Sequence, residues 1–129
     1  MAMTQHDKAT RFRALHQGEA FVIPNPWDAG SARMLAALGF QALATSSGAS
    51  AGVLGRRDGK VTRDEALAHA RAIVEAVDLP VSADLEKGFG DAPEDAAETG
   101  RSTASTIARE WASASSRVTL PSRRPSTPA

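Results

Sequence analysis

Leu79-Pro80-Val81-Ser82-Ala83-Asp84-Leu85-Glu86-Lys87-Gly88-Phe89-Gly90-Asp91-Ala92-Pro93-Glu94 passes from an apolar run, through two carboxylates and two glycines, into a helix start. Leu79 to Leu85 reads as a short strand. Asp91 reads as the cap of the helix that follows, with Pro93 in its first turn and Glu94 three residues after the cap. A strand that empties into an acidic, glycine-rich loop and then a helix is one unit of a parallel α/β architecture. In such folds ligands gather at the carboxyl ends of the strands, where loops and helix N-termini converge.

The same unit recurs toward the N-terminus. Ala20-Phe21-Val22-Ile23-Pro24 has strand composition and is closed by Pro24 and Pro26. Asp28 is a good N-cap for a helix with Ala32, Leu35, Ala36 and Leu38 on its apolar face, and Gly39 ends it. Ala42 to Thr45 predicts a second strand, followed by a long Gly/Ser-rich loop from Ser46 to Lys60. Thr62-Arg63-Asp64-Glu65 fits a capping box, and the helix behind it carries Leu67, Ala70, Val74 and Val77 at helical spacing. A polar helix from Thr4 to His16 leads the chain, with Phe12 and Leu15 on one side and Gly18 as its stop. One helix and then three strand–helix units predict a parallel sheet buried on both faces, either doubly wound or a piece of a (β/α) barrel. Three strands are too few for a closed barrel of eight.

Composition bounds the function. A chain of 129 residues allows one domain, and 42% apolar with 5% aromatic residues gives a core of Ala, Val and Leu. Fifteen Lys plus Arg balance fifteen Asp plus Glu, which argues against a general nucleic-acid binder. The absence of Cys removes disulfides, thiolate zinc sites and cysteine nucleophiles. No apolar run approaches the ~18 residues of a membrane span, and Met1 to Asp7 is polar and unlike a signal peptide. The expected setting is cytoplasmic, with neither membrane nor nucleic acid as partner. The balanced charge hides an asymmetry: residues 1–100 carry a net −4, and residues 101–129 a net +4 with seven Ser, four Thr and three Pro. That composition predicts a largely disordered tail, with a short helix open from about Thr103 to Ala114 around Ile107 and Trp111.

The chemistry falls at the strand ends. In a strand, residues i and i+2 point the same way, so Asp84 and Glu86 present two carboxylates on one face. Such a pair repels itself unless a cation lies between, and a hard divalent ion with oxygen ligands suits it. Gly88 and Gly90 let the backbone turn tightly beside that ion. The alternative is an acidic strand end with a solvated Glu. Thr45-Ser46-Ser47-Gly48-Ala49 offers hydroxyls and backbone N–H groups for a carboxylate or phosphonate oxygen, or else is a plain flexible turn. Arg57-Asp58-Gly59 offers a further acid, or simply an Asp-Gly turn. His6, His16 and His69 have no ligand spacing and read as surface residues. No Ser-His-Asp order, P-loop or G-x-G-x-x-G fingerprint is present.

Taken together, Asn25-Pro26-Trp27-Asp28-Ala29-Gly30-Ser31-Ala32-Arg33, Thr45 to Ala49, Asp58, and Ala83-Asp84-Leu85-Glu86-Lys87-Gly88-Phe89-Gly90 resemble the isocitrate lyase / phosphoenolpyruvate mutase superfamily. The likeness is nearest to its bacterial phosphonomutase-like branch and covers residues from about 10 to 99. The resemblance implies the N-terminal portion of a (β/α)₈ TIM barrel, about three strand–helix units plus the leading helix. It implies Mg²⁺, with Mn²⁺ as an alternative, and lyase or mutase chemistry on small α-keto-acid-forming or phosphonate substrates through a pyruvate enolate. By that likeness Asp84 is the direct metal ligand, and Glu86 and Asp58 hold metal-bound water. Ser47, Gly48 and Ala49 contact the substrate carboxylate, with Asp58 and Ser47 as the catalytic candidates. An intact family member is expected to be a homo-oligomer.

Two departures bear on function. Many members carry Asp-x-Asp where this chain has Asp84-Leu85-Glu86, and the longer Glu changes outer-shell reach. A whole barrel needs ~250 residues, and the likeness stops near Gly100, where charge and composition change. A partial barrel domain over 1–100 and a frameshifted or disordered tail over 101–129 are therefore expected. The alternatives to an enzyme are a truncated fragment without turnover, prone to aggregate through its open sheet edges, or a small binding module.

Overall fold

The computed structural model describes residues 3–107. Its elements are α1 (Gln5–Leu15), α2 (Ala29–Ala37), β1 (Leu43–Ala44), α3 (Ser47–Val53), α4 (Arg63–Ala76), β2 (Val81–Ser82) and α5 (Pro93–Ile107). β1 and β2 pair in parallel, with Leu43 opposite Val81 and Ala44 opposite Ser82. Parallel neighbours need a crossover, which α3 and α4 supply. Among the described residues no helix is long and apolar enough to cross a membrane.

Three helix starts, those of α1, α2 and α4, lie within a residue of the sequence reading, because a cap is a contact across three residues. Thr4 and Asp7, Asp28 and Ser31, and Thr62 and Glu65 each form a reciprocal capping box. The Thr62 N–H, followed by the Arg56 guanidinium, holds the Glu65 carboxyl down to about 2. α2 ends as expected at Gly39, whose φ of +90° is open to glycine. The Gly39 N–H donates to the Ala36 carbonyl and the Phe40 N–H to the Leu35 carbonyl, a Schellman closure.

Ala32 of α2, Leu43 of β1 and Ile73 of α4 form the buried centre, with Leu35, Phe40, Ala76, Val77, Leu79 and Val81 packed around it. One face of the sheet is thus covered by two helices. Along α4 the buried line is Leu67, Ala70, Ile73, so Ile73 takes the place expected of Val74, which is half-buried. Leu38, expected on the apolar face of α2, is 73% exposed because it is the cap residue where the chain turns away.

Several expected elements differ. Residues 20–24 form no strand; the segment is tied to β1 by the Ala44 N–H on the Pro24 carbonyl and the Asn25 side-chain amide on the Ala44 carbonyl. Pro24 and Pro26 lack the N–H that a ladder needs. The other two strands are only two residues long. The expected loop from Ser46 to Lys60 contains α3, capped by the Ser46 hydroxyl on the Ala49 N–H, with Ala49, Ser50 and Ala51 buried. Burial of small side chains there overrides the turn preference of Ser and Gly. Asp91 is not the cap of α5: the helix begins at Pro93, the Asp95 carboxylate takes the Ala92 N–H at 3.1 Å, and Asp91 pairs with Lys87. α5 also runs through residue 100 to Ile107, past the change in composition. The rest of the expected tail and of the Thr103–Ala114 helix lies outside the described residues.

Close approach docks α5 against the loop after β2. Thr99 is 2% exposed; its hydroxyl donates to the Gly88 carbonyl at 2.7 Å and accepts from Arg63 Nε at 3.1 Å. Gly88 has φ +91°, and a Cβ there would lie 2.5 Å from Ala96 Cα. A side chain at Gly88 is therefore excluded twice, by backbone conformation and by space. Gly88→Ala should cost about 1–3 kcal/mol in urea denaturation; stability equal to the parent would show that α5 does not rest on this loop.

Candidate functional site

The carboxyl ends of β1 and β2 open into one narrow cleft. The β1 exit contributes Thr45 and Ser46, α3 contributes Ser47 and Ser50, and α4 contributes Ala66 and His69. Asp84, Glu86 and Phe89 come from the β2 exit. The hollow between them is small, about 10 Å³. A much larger hollow, about 400 Å³, lies between α1, the β2 segment and α5, but its lining is mostly apolar and brings no acids together.

Asp84 is held at three atoms. Its N–H donates to the Thr45 hydroxyl at 2.8 Å. One carboxylate oxygen accepts the Ser47 N–H at 2.9 Å and the other accepts the Glu86 N–H at 2.9 Å. These two amides, that of Glu86 foremost, hold the Asp84 carboxyl below the usual carboxylate range, against a smaller opposing effect of burial. The Ser47 side chain adds a weaker contribution in the same direction as the amides.

Asp84 and Glu86 do share a cleft, but not by strand alternation. β2 ends at Ser82, and Glu86 has φ +50°, in the left-handed region. A tight turn closed by the Asp84 carboxylate on the Glu86 N–H brings the two acids to the same wall. Asp58 does not line the cleft. It is exposed, its carboxylate accepts the Gly59 N–H at 3.0 Å, and it lies beside the start of α3, where a Cβ on Gly48 would be 3.7 Å from it. Of Ser47, Gly48 and Ala49, only Ser47 lines the cleft; Ala49 is buried, with its N–H on Ser46. Among the described residues no three His, Asp or Glu side chains gather as a metal set.

Two polar cleft residues, Ser50 and His69, stand outside the segments that the sequence marks for chemistry. Ser50 is 4% exposed, and its hydroxyl is buried without a hydrogen-bond partner. A buried, unpaired hydroxyl on a cleft wall is a donor free for a ligand. His69, read as a surface residue, is half-buried on the cleft wall, with Nε2 2.8 Å from the Trp27 carbonyl oxygen. Its spacing of three from Ala66 places both on one face of α4, a signal visible in the sequence once the helix is placed. His6 and His16 are exposed; His16 stacks edge-on between Phe12 and Phe21.

Because the folded Asp84 carboxyl ionises below its unfolded value, its two amide bonds add stability above about pH 4. That stability is lost as pH falls through the folded value. Asp84→Asn should therefore weaken folding near neutrality and match the parent at the acid end of a pH series of urea melts. A penalty that did not change with pH would mean that the charge of Asp84 plays no part in the clamp.

Residues 12–108 match the family model described as phosphoenolpyruvate phosphomutase. The chain is 42% identical over 87 residues to 2,3-dimethylmalate lyase of Eubacterium barkeri, covering 65% of this chain and 30% of that protein. It superposes with TM-score 0.76 and 55% identity on a provisionally named lyase/mutase from Burkholderia cenocepacia J2315, over 78% of this chain and 37% of that one. A phosphoenolpyruvate phosphomutase from Streptomyces platensis subsp. rosaceus gives TM-score 0.68 at 28% identity, over 78% and 35%. The chain thus spans about a third of the length of the relatives it matches. The family match also extends beyond residue 99, over the remainder of α5. With that match over three quarters of its length, the chain belongs to the phosphoenolpyruvate mutase / isocitrate lyase superfamily.

Proposed function

We propose that this chain carries the acid end of a Mg²⁺-dependent lyase or mutase site, acting on small carboxylates that yield an α-keto acid or on phosphonates. The observation that supports it is Asp84, held ionised by two backbone amides and sharing a cleft with Glu86 and the hydroxyls of Ser47 and Ser50. Similarity to 2,3-dimethylmalate lyase and to phosphoenolpyruvate phosphomutase supports the same reaction class.

The donors suit Mg²⁺, which is commonly held by one or two carboxylates while keeping several waters; Mn²⁺ fits the same oxygens. Asp84 would hold the ion directly, with Glu86 and the more distant Asp58 reaching it through water. A bound divalent ion supplies Lewis-acid stabilisation to negative charge that develops on an enolate oxygen. Substrate carboxylate oxygens would take hydrogen bonds from the Ser47 and Ser50 hydroxyls. Gly48 and Ala49 lie behind that wall and shape it. With Asp58 off the cleft, Ser47 is the better placed of the two catalytic candidates. In the whole protein we place this site in a cytoplasmic homo-oligomer.

Residues 1–100 joined to the remaining length of the Burkholderia relative give a direct test, read as Mg²⁺-dependent keto-acid release from 2-hydroxy diacids. Asp84→Ala should lower kcat/KM by more than about 100-fold, and Glu86→Gln by about 10–100-fold. Parent rates in both variants at limiting Mg²⁺ would remove this pair from the metal site. A second reading, the site without turnover, is favoured by the open apolar hollow beside β2 and by the single strand partner that β2 has among the described residues. It predicts no keto-acid release from the 129-residue chain itself, and self-association on sizing columns; a monomer that turned over would refute it.

A further inference from the structure

The parallel ladder between the strands has a definite next step. The Leu43 N–H donates to the Pro80 carbonyl at 3.0 Å and the Thr45 N–H to the Ser82 carbonyl at 2.8 Å. In that register the following donor is the Asp84 N–H, and its regular acceptor would be the Thr45 backbone carbonyl. It goes instead to the Thr45 side-chain hydroxyl at 2.8 Å. A side-chain oxygen has replaced a ladder carbonyl, so the strand ends there and the chain swings off toward the cleft. Thr45 is 6% exposed, so water does not readily substitute for that hydroxyl. The contact is answered from the other side, since Asp84 accepts the N–H of Ser47, two residues beyond Thr45.

We propose that Thr45 is a positioning residue for the acidic cleft: its buried hydroxyl takes the Asp84 N–H out of the sheet and sets the Asp84 carboxylate between the Ser47 and Glu86 amides. The part of this that concerns metal rests on the assignment of Asp84 as a divalent-ion ligand; the part that concerns geometry does not. Thr45→Val keeps the shape and removes the acceptor. The Asp84 N–H is then left unpaired or returns to the ladder carbonyl, and either change moves the carboxylate. Thr45→Ser keeps the oxygen.

The test uses the 129-residue chain with two readouts, Mn²⁺ affinity by electron paramagnetic resonance and amide hydrogen exchange at Ser47 and Glu86 relative to Ala70 and Ile73 of α4. Loss of one buried acceptor corresponds to about a tenfold effect. Thr45→Val should weaken Mn²⁺ binding about tenfold and speed exchange at the two cleft amides about tenfold over the α4 reference, whereas Thr45→Ser stays within about threefold on both. If Thr45→Val leaves cleft exchange at the parent rate, or Thr45→Ser fails as badly as Thr45→Val, Thr45 is not the positioning residue. If the parent takes up no Mn²⁺ but the exchange pattern appears, Asp84 holds no divalent ion and Thr45 nonetheless positions it. If Asp84→Ala abolishes Mn²⁺ binding and Thr45→Val leaves both readouts unchanged, the metal assignment stands and the Thr45 role falls.

Discussion

The functional end of this fold depends on how two strand exits are fastened to each other. Thr45 and Ser47 on one exit, and Asp84 on the other, exchange two hydrogen bonds in opposite directions. One ends the ladder and the other turns a carboxylate toward the start of α3. Glu86 follows from the same arrangement, because its amide closes the turn on Asp84 and its left-handed backbone brings a second acid to the cleft. A strand pair two residues long would be marginal alone. Here the side-chain bonds beyond it extend the connection without extending the sheet.

How far the sequence discloses this depends on the range of each contact. Asp28 and Thr62 cap helices through partners three residues away, so their roles are legible directly, whereas Thr4, read as the first residue of its helix, is that helix's cap. The strand lengths are not legible, because a ladder depends on a partner almost forty residues off, and Pro24 and Pro26 withhold donors that composition alone would have spent on a strand. α3 is hidden for a different reason. Ser46 to Gly52 has every local mark of a turn, and only the burial of Ala49, Ser50 and Ala51 against the rest of the chain makes it helical. The pairing of Asp84 with Glu86 is legible from their spacing, though the cause is a turn, not a strand.

Gly88 and Gly90 illustrate a right emphasis with another cause. The spacing suggests that both ease the backbone around an ion, yet what forces glycine is the approach of α5: Ala96 lies against Gly88 and Asp95 against Gly90. The loop that carries Asp84 and Glu86 is therefore braced from behind by α5, whose Thr99 donates to the Gly88 carbonyl and accepts from Arg63 of α4. This bracing sets the acids on a supported loop, which is what a site of fixed geometry requires.

The central claim, that the two acids at the β2 exit, facing the hydroxyls of the β1 exit, form a divalent-cation site, is tested most directly by paramagnetic broadening of amide signals in the ¹⁵N-labelled chain at substoichiometric Mn²⁺. The account predicts early loss of signals from residues 45–50 and 84–89, with His69 affected and α1 spared. Broadening centred on Glu94 and Asp95, or spread evenly over the exposed acids, would contradict it.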